Sequence, residues 1–395
     1  MRTRKKSRAS CTYLTYDGLL DPLGRSQVVP LLQRLSKDFN VQVVSFEKPV
    51  LLRQTSAVDQ MKETLQVSGI RWKALRYHKR PRAMGTIYDL ARAALNVVLT
   101  QQRPQLIHLR SYTLGPVALL ARWLFASPII FDMRGLWVDE RFDSGEWSAN
   151  SRMLKFARAV ERKLLSEAAQ VVTLTERSLP QLRELSSSGL SRVVVVPTVV
   201  DTDTFIPRPA IRTTNDGTIS IAYLGSSGTW YDDDQLASFI EACVSQGWRF
   251  TVITNDPGHP NVDRFRQLGA VIYSLRQDEV ASALRDHDAV AFFIKPTMSK
   301  IASCPTKFVE ALACGLPVIT GPGIGDVDTY IQEWRVGVVS TDPASATALD
   351  TLAAMCRDEI VRKRCRQLAI ERFSLDVIAH RYRMLYEQCL DGEVA

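Results

Sequence analysis

Apolar positions along this chain fall into short β-rich runs separated by stretches with helical spacing. Cys11–Tyr16, Val41–Phe46, Ile70–Leu75, Leu106–Leu109, Pro128–Asp132, Val171–Leu174 and Val193–Val196 each read as a strand in a buried parallel sheet. Between them, Val28, Leu31, Leu32 and Leu35 recur at helical spacing, as do Ile87, Leu90, Ala91, Ala94, Leu95 and Val98. A long helix is expected over Ser151–Ala168. A second alternating series opens with strand Ile219–Leu224 and continues through Phe250–Ile253, Val271–Tyr273, Ala289–Ile294 and Leu316–Ile319. From there the chain reads as helical to about Leu390, the last helix covering Ser374–Gln388. Strands alternating with helices predict parallel α/β sheets. Pro207, Pro209, Asn215, Asp216 and Gly217 punctuate the break between the two series. The expected organisation is a basic tail (1–9), a first Rossmann-like domain (10–206), a linker (207–217), a second domain (218–373) and a terminal helix (374–395).

The densest chemical signal is Ser303 to Ile319. Pro305 cannot continue a helix upstream, and Thr306 is placed to cap one. Phe308, Ala311 and Leu312 give that helix one buried face, and Gly315 suits the left-handed residue that ends it. The helix start, with free N–H groups and a favourable dipole, fits an anion. Glu310 lies one turn in. A solvated carboxylate is the ordinary fate of such a Glu, but here it could also accept both hydroxyls of a ribose. The arrangement then suits a nucleoside diphosphate.

Other candidates sit at strand ends, where open α/β sheets place their sites. The Asp17–Gln27 loop carries Asp21, Gly24 and Ser26. It matches neither the dinucleotide spacing Gly-x-Gly-x-x-Gly nor a phosphate-binding loop ending in Gly-Lys-Ser/Thr. Asp132, Arg134, Asp139 and Glu140 crowd the loop after a later strand; turn charges alone are the alternative, and Asp132 and Arg134 are the leading site residues of the first series. His108 ends the strand before it, and a satisfied core histidine is its more usual fate. In the second series, Gly225 and Gly228 permit close backbone approach to a ligand. Asp232 or Asp233 can cap the next helix. Lys295, Lys300 and Lys307 converge in sequence on the helix starting near Thr306.

The run Pro305-Thr306-Lys307, Glu310, Ala-x-Ala-x-Gly-x-Pro-Val resembles the C-terminal-domain motif of nucleotide-sugar glycosyltransferases with the GT-B fold, of the family 4 type. Asp-Gly-x-x-Asp-Pro-Leu-Gly-x-Ser-Gln from Asp17 resembles the first loop of one subgroup. Asp132-x-Arg-Gly-x-Trp-x-Asp-Glu resembles its acceptor-side loop. Pro197-x-x-Val-Asp-x-x-x-Phe resembles the exit from its first domain. The resemblance implies two Rossmann-like α/β domains facing across a cleft, the C-terminal helix crossing back to the first. It implies retention of anomeric configuration with no obligatory protein nucleophile, and Glu310 on the donor ribose. On this reading Asp132, Arg134, Lys300 and Lys307 are the catalytic candidates. Glu310, Thr306, Lys295, Gly225, Thr229 and Asn255 are assigned to the donor nucleotide, and Asp21, Gly24, Ser26, His108, Asp139 and Glu140 to the acceptor side. Two departures stand out. Many relatives carry a Glu eight residues before the second, where this chain has Ala302. Many also carry Arg and Lys where this chain has Gly228-Thr229-Trp230-Tyr231.

Composition narrows the reading. The chain has 395 residues, 46% hydrophobic and 23% charged, as expected of a soluble globular protein of two or three domains. Five of the basic residues behind the net charge of +8 lie in the first eight positions. No apolar segment follows them, so the start is not a signal peptide; it reads as a tail that is either solvated or in contact with anionic lipid. Tyr77–Arg82 is a second basic patch, leading into a helix that either packs on the sheet or lies on a membrane surface. Leu114–Phe131 contains Pro116, Arg122 and Pro128 and is not a membrane span. No nucleic-acid recognition module is visible, and nucleic acid is not an expected partner. Seven Cys without a Cys-x-x-Cys pair and five scattered His argue against a disulfide framework or zinc site and suit a reducing compartment. Asp232-Asp233-Asp234 and Asp201-Thr202-Asp203 are formal metal candidates, set aside as a helix cap and an inter-domain loop. Lysines with helix amides would stabilise the departing phosphates instead.

The expectation is therefore a cytoplasmic glycosyltransferase, peripheral on the inner face of the membrane if the basic patches act, with no metal and no cofactor. It would move sugar from a UDP- or GDP-sugar to a saccharide or lipid-linked saccharide acceptor in surface polysaccharide or glycan biosynthesis. A nucleotide-sugar 2-epimerase on the same fold, and a catalytically decayed sugar-nucleotide-binding or assembly subunit, are the alternatives.

Overall fold

The computed structural model describes residues 8–78, 80–100, 102–186, 192–209 and 218–392. Most of the basic tail, Lys79 of the second basic patch and most of the expected linker lie outside the described residues. Strands β1 (Ser10–Thr15), β2 (Asn40–Glu47), β3 (Arg71–Arg76), β4 (Leu106–Arg110), β5 (Ile129–Asp132), β6 (Gln170–Thr173) and β7 (Val193–Val195) form a parallel sheet. Its order is β3-β2-β1-β4-β5-β6-β7. A second parallel sheet holds β8 (Ser220–Leu224), β9 (Arg249–Ile253), β10 (Val271–Tyr273), β11 (Ala289–Phe292), β12 (Val318–Thr320) and β13 (Gly337–Val339), ordered β10-β9-β8-β11-β12-β13. Helices cover both faces of each sheet, so the central strands are buried throughout, as their unbroken apolar runs require. Two parallel α/β units with facing strand ends are the expected GT-B architecture.

The crossing between the units is made twice at one place. Val200, leaving the first unit, pairs with Ser374, which starts the return. Val200 N–H donates to Phe373 O at 2.8 Å, and Leu375 N–H donates to Val200 O at 3.1 Å. The returning helix, Leu375–Asp391, buries Ile378, Tyr382, Leu385 and Tyr386 against Tyr13, Leu32 and Phe39 of the first unit. The terminal helix therefore crosses back as expected. Residues 374–391 contribute to the core of the first unit.

Some local expectations need correction. Pro305, extended at ψ 132°, takes the cap position of the helix Thr306–Ala313, so Thr306 is its first helical residue and no side chain caps the end. The extended backbone that proline favours accounts for the shift. β12 begins at Val318 rather than Leu316, because Gly315, at φ +72°, must first turn the chain. β13 was not foreseen: three half-buried residues with a glycine give little periodicity to read.

Candidate functional site

The C-terminal ends of both sheets meet at a cleft holding a cavity of about 1250 Å³. That exceeds the roughly 300–1,000 Å³ of a single small-molecule site, so the cleft has room for two ligands. Residues from both units line it, among them Asp21, Arg110, Arg134, Glu140, Lys300, Thr306 and Lys307.

On the second unit the site is built around Lys307. Its side chain runs from the uncapped first turn of the helix Thr306–Ala313 back under the loop after β8. The ammonium stands 4.3 Å from the Tyr231 ring centroid and 5.0 Å from that of Tyr223. It is buried, and its Nζ has no hydrogen-bond partner among the described residues. Burial holds it well below the usual lysine range, at about 7, despite the opposing pull of Glu310. Gly225, at φ +145°, is what makes room: a Cβ there would lie 2.4 Å from Lys307 Nζ. Glu310 is buried one turn deeper and is pushed up to about 7 by loss of water, partly offset by Lys307. A buried amine without an acceptor is costly. Here the missing acceptor would come from a ligand anion at the mouth of the helix, where the first amides are also uncapped.

Opposite stands the first unit's loop after β5. Arg134 is in the left-handed region at φ +57°, followed by Gly135 at +131°. A non-glycine residue pays for such a backbone with strain, which marks constrained functional loops. The turn carries Arg134 into the cavity. Asp132 lies behind it, fully buried, with Arg110 Nη1 at 3.7 Å and His108 Nε2 at 3.5 Å from Oδ2. Burial opposes its ionisation, but Arg134 and then His108 and Arg110 prevail and hold the carboxyl below its ordinary range. His108 has the satisfied-core environment. Its Nδ1 meets Tyr386 Oη at 2.8 Å, and its ring packs against Tyr13 and Tyr382. Burial holds it below the ordinary histidine range.

The two units are tied across the cleft. Lys300 Nζ meets Glu140 Oε1 at 2.7 Å and lies 3.9 Å over the Trp230 ring. Thr175 Oγ1 donates to Ile301 O, and Thr198 Oγ1 donates to Cys304 O. Asp326 accepts from the Glu176 and Arg177 amides at 2.7 and 3.0 Å.

Several expected residues are placed elsewhere. Asp139 is held by Arg158 Nη2 at 2.7 Å and does not line the cavity. Gly24 is a packing residue: a Cβ would lie 2.1 Å from Gly18 O. Ser26 donates back to Pro22 O within its own turn. Lys295, Thr229 and Asn255 are exposed and do not line the cavity. Asp21 does line it, paired with Lys48 at 2.8 Å. Asp232 caps its helix through Gln235 N–H, and Asp201 accepts from Asp203 N–H and Thr204 Oγ1 in its own loop.

Other contributors were missed. Tyr223, Tyr231 and Trp230 surround the lysines, but the loop holding the last two was read for its glycines. Glu47, fully buried, shapes the Asp17–Gln27 loop by accepting from the Leu19 and Leu20 amides at 2.8 and 3.0 Å. Gln27 locks that loop to Val199 through both ends of its amide.

Residues 28–198 match the family described as glycosyl transferase 4-like domain, and residues 266–372 match glycosyl transferases group 1. No curated protein matches at the sequence level. Among solved structures, sucrose-phosphate synthase from Thermosynechococcus elongatus is similar, with 16% identity and a TM-score of 0.70 over 98% of this chain and 100% of that one. The HepE protein of Anabaena in complex with UDP and glucose has 14% identity and a TM-score of 0.66, covering 95% and 99% of the two chains. WaaG, a glycosyltransferase involved in lipopolysaccharide biosynthesis, has 12% identity and a TM-score of 0.64, covering 95% and 99%.

Proposed function

Because the chain belongs to the family 4-like glycosyltransferases of GT-B fold, we propose that it moves a sugar from a nucleoside diphosphate sugar to a hydroxylated acceptor in surface polysaccharide or glycan biosynthesis. The observation that carries the donor is Lys307, a buried ammonium without an acceptor among the described residues, beside an uncapped helix start. A diphosphate at that place would satisfy both. The similar HepE structures hold UDP and UDP-glucose, which supports a uridine donor. Glu310, one turn deeper, would take the ribose hydroxyls.

Charge builds on the leaving diphosphate as the glycosidic bond breaks. Lys307, Lys300 and the helix amides answer it from the second unit and Arg134 from the first, with no metal in the scheme. Asp132, held ionised by its three basic neighbours, would keep Arg134 oriented. Retention of configuration follows the family. Ala302, where relatives carry a carboxylate, is buried. Glu140 brings one to this side of the cleft from the other unit: a Cβ on Gly135 would lie 3.9 Å from both the Ala302 carbonyl and Glu140 Oε1. Glu140 would thus stand in for the carboxylate that Ala302 lacks, and turnover is expected despite the substitution.

Calorimetry with UDP, GDP and ADP, each with and without EDTA, tests the donor and the metal together. One nucleotide should bind, unaffected by EDTA. Failure of all three to bind would remove the donor site, and loss of binding in EDTA would remove the metal-free scheme.

No helix among the described residues is long and apolar enough to cross a membrane. The first unit nevertheless exposes Met84, Ile87, Tyr88 and Leu95 on one helix and Trp123, 80% exposed, on its neighbour. We read this face as resting on an anionic membrane surface. Sedimentation with phosphatidylglycerol vesicles should carry the protein down, and Trp123→Ser with Leu95→Ser should release most of it. Equal sedimentation of the double variant would refute the assignment.

A further inference from the structure

The acceptor half of the cavity contains a polar group that the donor chemistry leaves unused. Asp89, fully buried on the helix Arg82–Val98, accepts three hydrogen bonds. Two come from His78, its backbone N–H at 2.9 Å and its ring Nδ1 at 2.6 Å; the third comes from Tyr16 Oη at 3.0 Å. Gly85 adds a fourth constraint, since a Cβ there would lie 2.6 Å from His78 O. His78 is thus fixed by its backbone and by one ring nitrogen. With Nδ1–H given to Asp89, a neutral ring carries its lone pair on Nε2, on the far side from the carboxylate. His78 and Tyr16 both line the cavity, and the His78 side chain is 31% exposed. A buried carboxylate that holds an imidazole and a phenol at the wall of a cavity is a built contact.

The surroundings say what that contact would touch. Ile87 and Leu90 of the same helix line the cavity, and so do Met153 and Phe156 of the helix Arg152–Glu167. The helix Gly115–Phe125 packs against both, so the two flank it, and its Pro116 lines the cavity as well. Ile87 and Phe156 are 65% and 59% exposed. Apolar side chains of this wall are thus open to solvent, while His78 is less exposed.

We infer that this half of the cleft is an acceptor subsite for an amphiphile: a hydroxyl of the saccharide head donates a hydrogen bond to His78 Nε2, and the hydrocarbon part leaves over Ile87 and Phe156. The inference rests on the glycosyltransferase reading above and narrows its acceptor class. His78 is a substrate contact here, and Asp89 and Tyr16 are positioning residues.

The test uses n-dodecyl β-maltoside as monomer below its micelle concentration, with maltose as control, both titrated by calorimetry, and UDP titrated on the same preparations. Saturable binding of the maltoside at one site is expected, with none of maltose over the same range. His78→Phe, which keeps the bulk, should weaken it about 5- to 10-fold, in line with one lost hydrogen bond. His78→Gln, which keeps an acceptor, should restore most of it. Asp89→Asn should weaken it as His78→Phe does, and Ile87→Ser should weaken it too. UDP affinity should be the same throughout. Absence of saturable maltoside binding by the unaltered protein, or undiminished binding by His78→Phe, overturns the subsite. If maltose binds as well as the maltoside, the acceptor is a free saccharide and the apolar exit is wrong. UDP binding without maltoside binding removes this inference alone, whereas failure of UDP removes the donor reading.

Discussion

Replacing Lys307 with methionine is expected to lower kcat/KM for sugar transfer by on the order of 10²- to 10³-fold, the usual loss for one pre-placed transition-state partner. The same change should leave the fold as stable as before or more so. Lys307 Nζ is buried among Tyr223, Tyr231 and Glu310 without a hydrogen-bond partner, and burial depresses its pKa. Methionine fills similar space without a desolvated amine, and relief of such a group is worth roughly 1–3 kcal/mol. The pH dependence has a definite sign. The unfolded chain binds a proton at this lysine up to its ordinary value of 10.5, whereas the folded chain releases it above about 7. Stability from this residue therefore rises with pH between those values, and that rise should vanish in the methionine variant. Glu310, raised from 4.5 to about 7 by burial, acts in the window below. The native state holds its proton there and the unfolded chain does not, so its contribution falls as pH rises from 4.5 towards 7. Urea denaturation across pH 5–10 separates the two. A methionine variant that is both inactive and strongly destabilised would mean that Lys307 is structural.

The second large effect is expected at Arg134. Arg134→Gly removes a side chain from the cavity and at the same time allows the φ of +57° without strain. Left-handed backbone costs a non-glycine residue about 1 kcal/mol or more. The melting temperature should therefore hold or rise slightly, while kcat/KM falls about 10- to 100-fold, the range for a lost charged hydrogen bond. Arg134→Lys should recover only part, because a point charge on a flexible stem does not reproduce a planar fork. Full activity in the glycine variant would show that the strained turn serves packing alone. Asp132 would lose the leading one of the three neighbours that hold it ionised and keep His108 and Arg110.

How much of this could be read beforehand follows from physics that differs between elements. Strands such as Leu106–Arg110 and Ala289–Phe292 are buried on both faces, so their unbroken apolar runs are a strong local signal. The helix carrying Lys307 and Glu310 was legible through Pro305, Gly315 and its apolar spacing. Its cap was not, because whether Pro305 or Thr306 stands at the boundary depends on a backbone angle that both residues tolerate. Asp132 and Arg134 stood out as charges at a strand end, and Asp139 was assigned beside them to the acceptor side; the position of Arg158 on a neighbouring helix is what takes Asp139 out of the site. Lys300 was assigned to catalysis and Lys295 to the nucleotide, yet nothing in the sequence says which of them reaches the cleft. Trp230 and Glu140 draw Lys300 into the cleft, and Lys295 stays in solvent. The His78–Asp89 pair was hidden for a further reason: eleven residues apart, it joins a loop to the second turn of a helix and matches no periodicity.

The central claim is that a diphosphate supplies the acceptor Lys307 lacks, and proton linkage tests it most directly. UDP is titrated at pH 8 into the unaltered protein and into Lys307→Met, in two buffers of different ionisation enthalpy. An anion beside the lysine raises its pKa from about 7, so binding should take up about one proton in the unaltered protein and none in the variant. Equal uptake by the two proteins, or none by the unaltered one, would place the diphosphate away from Lys307.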